Sequence, residues 1–190
     1  MANVNRQGPM PFRRRDESAS SFPNASRRGP VPIRRNVEDF DDPYLPSESY
    51  RGTVICRECH AVNQNERWSL DERIYQEAVK AADAHYIVCP ACQKLHDRQP
   101  GGIVTLSSDF IPEHRDEILN LIRNEDVRAR HVNPLERVME IQEDGSQMVV
   151  TTTNEKLAQR LGRAVGRAYG GHVHYHWTSD SKQARVWWTR

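Results

Sequence analysis

Val54-Ile55-Cys56-Arg57-Glu58-Cys59-His60 sets two cysteines three positions apart behind a β-favouring dipeptide, and Ile87-Val88-Cys89-Pro90-Ala91-Cys92 repeats the arrangement. No cysteine lies outside these two pairs. A strand entering a tight knuckle aims both sulfurs of a C-x-x-C pair at one point. Two such knuckles place four thiolates at the corners of a tetrahedron, the closed coordination of structural zinc. With no coordination position open, the ion organises the fold and does not activate water. The expectation is a zinc ribbon holding one structural Zn2+ through Cys56, Cys59, Cys89 and Cys92. Other readings stay open here. Disulfides need an oxidising compartment, and residues 1–15 lack the apolar stretch of a secretory signal. A thioredoxin-like redox pair needs one C-x-x-C at a helix start, whereas both pairs read as strand ends. His60 or His96 could also replace one sulfur.

Between the pairs, Ser69-Leu70-Asp71-Glu72 reads as a capping box. Leu70, Ile74, Ala78, Ala81 and His85 follow at helical spacing, which predicts a helix over residues 69–84 inserted into the ribbon.

Past Gly101-Gly102, residues 103–108 read as a strand. A helix follows from Pro112 to about Arg130, with Ile118, Leu119, Ile122 and Val127 on its apolar face and Asn133-Pro134 as its stop. Residues 136–142 and 147–152 form a hairpin around Asp144-Gly145. Asn154 can cap a second helix over residues 155–169, which ends at Gly170-Gly171. Residues 172–178 alternate as a strand, and 183–188 pair back on it through the turn at 179–182. This is the βαββαβ pattern of ferredoxin-like folds with an extra C-terminal strand. The fold class is therefore α+β, and one sheet face is left free of helices. RNA-binding domains of this topology stack bases on such a face. Gly162 and Gly166 weaken the second helix by about 1 kcal/mol each; close approach to the sheet or to RNA is the expected compensation.

The chain divides into an Arg-rich arm (1–35), an acidic linker (36–50), the ribbon (51–100) and the ferredoxin-like domain (101–190). The 190 residues are 37% hydrophobic and 28% charged, too polar for all of them to share one core, and no apolar run approaches a membrane span. The formal net charge of +1 hides blocks: residues 1–35 carry eight arginines against two acids, and residues 150–190 seven basic groups against two acids. Arg13, Arg14, Arg15, Arg27, Arg28, Arg34 and Arg35 sit among Pro, Gly, Ser and Asn, the composition of a disordered arm. Their guanidinium forks suit phosphate backbones. The linker bears Phe40, Tyr44 and Leu45, which could dock on the protein's own basic surface or merely space the arm from the rest.

Lys156, Arg160, Arg163 and Arg167 recur along one line of the second helix, with no acid interleaved. Either solvent screens this stripe or phosphates do. His172, His174 and His176 share one side of a strand. Neighbours on that side stand about 7 Å apart, too far for three imidazoles to converge on one ion with bonds of about 2 Å. A polar, stacking-capable surface is the preferred reading over a metal site or a plain solvated face. Trp187 and Trp188 point to opposite faces, so one belongs to the core.

The knuckle at residues 54–60, with Trp68 beyond it, resembles the large-ribosomal-subunit export adaptor family, the nonsense-mediated-decay protein three family with archaeal relatives. The segment at residues 149–165, through Lys156-Leu157-Ala158-Gln159-Arg160-Leu161, is similar to that family's strand–helix unit. The likeness covers part of residues 51–190. It implies ribosomal RNA of the large subunit as partner, with ribosomal proteins as further neighbours, bound without catalysis. It also implies zinc at Cys56, Cys59, Cys89 and Cys92.

The expectation is a cytoplasmic, non-catalytic zinc protein that binds RNA on the ribosome, in assembly or dormancy. The arm, the helix stripe and the histidines would meet the RNA; no membrane or small-molecule substrate is implied. A zinc-ribbon protein adaptor without RNA is the alternative, and a His-metal enzyme the third.

Overall fold

The computed structural model describes residues 42–45, 50, 52–177 and 183–190. The arm arginines Arg13, Arg14, Arg15, Arg27, Arg28, Arg34 and Arg35, and the turn at 179–182, lie outside the described residues. Strands β1 (Val54–Cys56), β2 (Val62–Gln64), β3 (Arg67–Ser69) and β4 (His85–Ile87) form a sheet ordered β3-β2-β1-β4. β1 is antiparallel to β2 but parallel to β4. A parallel neighbour needs a crossover, and helix α1 (Glu72–Ala78) supplies it. Ile74 and Tyr75 pack with Ala78 against Ile55 and Val62.

The helix expected over residues 69–84 is thus shortened at both ends. Ser69 belongs to β3 opposite Val62, and its Oγ accepts the Asp71 N–H at 3.1 Å. Asp71 becomes the cap, its Oδ1 accepting from the Arg73 N–H at 2.8 Å. After Ala78, short turns bonded from Ala81 to Ala78 and from Ala84 to Ala81 bring the chain back to start β4 beside β1. Pairing with β1 overrides the helical spacing of Ala81 and His85.

Helix α2 (Pro90–Asp97) follows β4 directly. Proline at the first helical position has its φ already set and no N–H to lose. Pro90 starts α2, with Cys89 as its N-cap residue.

The second sheet has five strands: β5 (Gly102–Ser107), β6 (Val138–Asp144), β7 (Gln147–Thr152), β8 (His172–Trp177) and β9 (Ala184–Thr189). Helix α3 (Arg115–Val132) links β5 to β6, and α4 (Glu155–Tyr169) links β7 to β8. Asn154 caps α4 as expected, its Oδ1 accepting from the Leu157 N–H at 3.1 Å. One sheet side contributes Val104, Leu106, Met148, Val150, Val186 and Trp188 to the core, met by Ile118, Leu119 and Ile122 of α3 and Leu157, Leu161 and Val165 of α4. Val127 is not part of it: it is 65% exposed, one position off the line that runs from Ile122 to the buried Ala129. A Cβ on Gly162 would sit 2.5 Å from Val186 Cγ1, and one on Gly166 2.7 Å from Val173 Cγ2. Close approach of helix to sheet is what both glycines permit.

The strand order is β6-β7-β5-β9-β8. In a four-stranded split βαβ sheet β8 would lie beside β5. Here β9 takes that place, parallel to β5, and β8 moves to the edge. Burial explains the exchange: β9 buries Ala184, Val186 and Trp188 completely, whereas β8 buries no residue fully. The more apolar strand occupies the interior of the sheet. The element order of the ferredoxin-like expectation is kept; this neighbour relation is not.

Candidate metal centre and nucleic-acid interface

Cys56 ends β1, and the chain turns over Arg57-Glu58-Cys59 into a left-handed His60 at φ 61°. The turn closes with the His60 N–H on the Cys56 carbonyl at 3.1 Å and the Cys56 N–H on the Ala61 carbonyl at 2.8 Å. The second pair corrects the expectation of two strand-end knuckles. Cys89 caps α2 and Cys92 lies in its first turn, so this pair sits at a helix start, where the helix dipole favours thiolate. Pro90 was the signal for it.

The four sulfurs nevertheless converge, all within 4.8 Å of one another. Cys56 Sγ lies 3.9 Å from Cys92 Sγ, and Cys59 Sγ 3.7 Å from Cys89 Sγ. A tetrahedral ion with bonds of about 2.3 Å to sulfur sets its ligands about 3.8 Å apart, so the site could hold a metal ion. All four cysteines are free thiols, and Cys56, Cys89 and Cys92 are buried. His60 instead stacks on Tyr75 at 5.0 Å, and His96 pairs with Glu58 at 3.1 Å. Neither belongs to the sulfur cluster.

The sulfurs shift one another's proton affinities in opposite directions. A hydrogen bond from the Cys89 thiol, aided by the Arg137 guanidinium, lowers the pKa of Cys59 to about 4. The Cys59 thiolate in turn, with burial, drives Cys89 well above its usual range. Burial and then the Cys59 charge push Cys92 up to about 12. Holding further thiolates beside that of Cys59 would need a cation among the sulfurs. Part of the compensation is built in. Arg137, only 6% exposed and preceding β6, donates from Nη1 to Cys92 Sγ at 3.5 Å and from Nε to the Pro134 carbonyl at 2.7 Å. Burial works against its charge, but the Cys59 hydrogen bond and the neighbouring sulfurs outweigh it and raise its pKa.

Arg137 also joins the metal lobe to the five-stranded sheet, both within one compact unit of residues 38–190. Lys94 of α2 adds a second link, reaching Asp42 Oδ2 at 2.6 Å and the Thr153 carbonyl at 3.2 Å. The Tyr44 hydroxyl meets Asp97 Oδ2 at 3.0 Å. Of the linker, Asp42 docks on the basic Lys94, whereas the Tyr44 hydroxyl reaches an acid and Leu45 is exposed; Phe40 lies outside the described residues.

The sheet side opposite α3 and α4 can be followed row by row from the strand register. One row runs Glu140, Thr151, Ile103, Arg185, His176; the next Gln142, Val149, Thr105, Trp187, His174; the third Asp144, Gln147, Ser107, Thr189, His172. His172, His174, His176 and Arg185 are exposed and Trp187 half-buried, while Trp188 belongs to the core. Trp187 lies 5.9 Å from the His174 ring and 6.4 Å from that of His176. Among the described residues the histidines belong to no metal-ligand group. Trp187 and Arg185 complete their surface; the residues showed that one of Trp187 and Trp188 faces outward without saying which, and Arg185 gave no signal without the register.

Lys156, Arg160, Arg163 and Arg167 lie on α4, across the sheet from the histidines. Lys156, Arg163 and Arg167 are exposed. Arg160 is not free for phosphate: its Nη2 pairs at 3.4 Å with Glu136 Oε2, a buried acid from outside the helix. The stripe and the histidines therefore form two surfaces, and one flat ligand cannot cover both.

Compared with known proteins, the chain matches no family model, no curated protein and no solved structure. No helix among the described residues is long and apolar enough to cross a membrane.

Proposed function

We propose that this chain is a zinc-stabilised, non-catalytic RNA-binding protein that acts on the large ribosomal subunit in the cytoplasm. The observation that carries the reading is the helix-free sheet face with Trp187, Arg185, His172, His174 and His176 side by side. Exposed rings next to cationic and polar groups suit bases and phosphates together. A tetrathiolate suits zinc or iron; the closed donor set at Cys56, Cys59, Cys89 and Cys92 favours structural zinc. When bound, the ion would neutralise the thiolates and cross-link β1 to α2. Arg137 would carry part of the same task, and Lys94 would hold the joint. The arm arginines and Lys156, Arg163 and Arg167 would add phosphate contacts that fall off with salt. The ribosomal assignment rests on the resemblance of residues 54–60 and 149–165 to the export adaptor family.

The test is metal analysis together with binding of purified ribosomal RNA across a salt series, followed by sedimentation with large subunits. One zinc per chain, a negative slope of log affinity against log salt, and co-sedimentation at low salt are expected. A protein that binds no RNA in dilute buffer would refute the reading.

A further inference from the structure

We infer that the sheet face takes single-stranded RNA, laid along β8 and β9 with a base stacked on Trp187; the inference rests on the RNA-binding reading above. Three observations on this face narrow the occupant. Among the described residues its only half-buried large ring is Trp187, flanked by His174 and His176 on one side and by the small side chains Thr105 and Val149 on the other. Thr105 and Val149 are both smaller than the indole beside them. Charge is graded across the same face. Arg185 stands in the β9 row, whereas the far strand β6 ends each outer row with Glu140 or Asp144. A polyanion is thereby repelled from the β6 side and held to the β8–β9 side.

Base stacking also decides between forms of RNA. A duplex keeps its base faces inside the stack and offers phosphates and 2′-hydroxyls outward, so an indole on a flat sheet has nothing to stack on. An unpaired strand can splay its bases onto rings, at about 1–3 kcal/mol per stacked base. The α4 cations lie on the opposite side of the sheet and take no part in this contact.

The full chain, loaded with its metal, should be titrated with a uridine-rich single-stranded RNA and with a blunt RNA duplex, following both affinity and indole fluorescence. Expected are preference for the single strand and quenching on binding. Trp187→Ala should weaken single-strand affinity roughly tenfold, within the range for one stacked base. Trp187→Phe, which keeps a ring and guards against misfolding of the alanine variant, should restore most affinity while losing most of the quenching. The double variant Arg163→Glu, Arg167→Glu removes phosphate contacts on the other side of the sheet, so it should lower affinity less than Trp187→Ala does and leave the quenching at saturation unchanged. Preference for the duplex, or unchanged affinity and quenching in Trp187→Phe, overturns the inference. If the α4 variant alone abolishes binding, RNA binding stands and the sheet-face assignment falls. If neither RNA binds the wild-type chain, both fall.

Discussion

The metal lobe and the sheet lobe are stabilised by different physics. Strands β1 to β4 are three residues each, and their apolar contacts amount to two small clusters, one of them made largely of the cysteines themselves. The sheet lobe instead has strands of six or seven residues over a continuous core that includes Trp188, Leu106, Ile118, Met148 and Leu161. Burial is sufficient to organise the second lobe. In the first it is not, and the sulfurs must supply what the apolar side chains do not. The contrast teaches that the cysteines shape a scaffold around which the sheet stays independent, and it can be broken at several points.

The largest effect should come from the metal itself. Structural zinc contributes on the order of 10 kcal/mol of apparent binding energy, so a strong chelator, or Cys56→Ser with Cys92→Ser, should unfold the metal lobe. Hydrogen exchange read by peptide should show loss of protection over residues 54–97 and retention over residues 102–189. Equal loss in both would erase the distinction. Next, Arg137→Met should leave the sulfur cluster without its built-in cation. Breaking a buried charge pair costs about 3–5 kcal/mol, and the expected readout is weaker zinc retention against a competing chelator, with Arg137→Lys intermediate. Gly162→Val strikes the other lobe: its side chain must displace Val186, and overpacking of this kind costs about 1–3 kcal/mol. Thermal unfolding should occur at lower temperature while chelator resistance stays unchanged. Smallest is Asn154→Ala, which removes the α4 cap at about 1 kcal/mol and should lower only the sheet-lobe transition.

How much of this was legible in the residues depends on how local the cause was. Helix α4 was read with its true bounds because both ends carry their own chemistry, Asn154 at the start and Gly170-Gly171 at the finish. The hairpin at Asp144-Gly145 and the convergence of four cysteines were legible for the same reason. Helix α1 was overextended because its limits are set by β4 reaching back to pair with β1, a contact between distant residues. Cys89-Pro90-Ala91-Cys92 was read as a second knuckle when Pro90 opens a helix. The insertion of β9 between β5 and β8 depends on relative burial across the whole sheet. Arg137 gave no sign at all, since nothing in the run Leu135-Glu136-Arg137 announces a partner 45 positions away in the chain. The acid that engages Arg160 was hidden likewise, Glu136 lying outside the helix whose cations were counted.

The central claim is that the sheet lobe, organised by its own core, presents a face that grips RNA. Ultraviolet crosslinking of the zinc-loaded chain to single-stranded RNA, with adducts mapped by peptide mass spectrometry, tests it most directly. The account predicts adducts concentrated on the peptides carrying His174 and Trp187. Adducts confined to α4, or none above the level seen with a non-binding control protein, would contradict it.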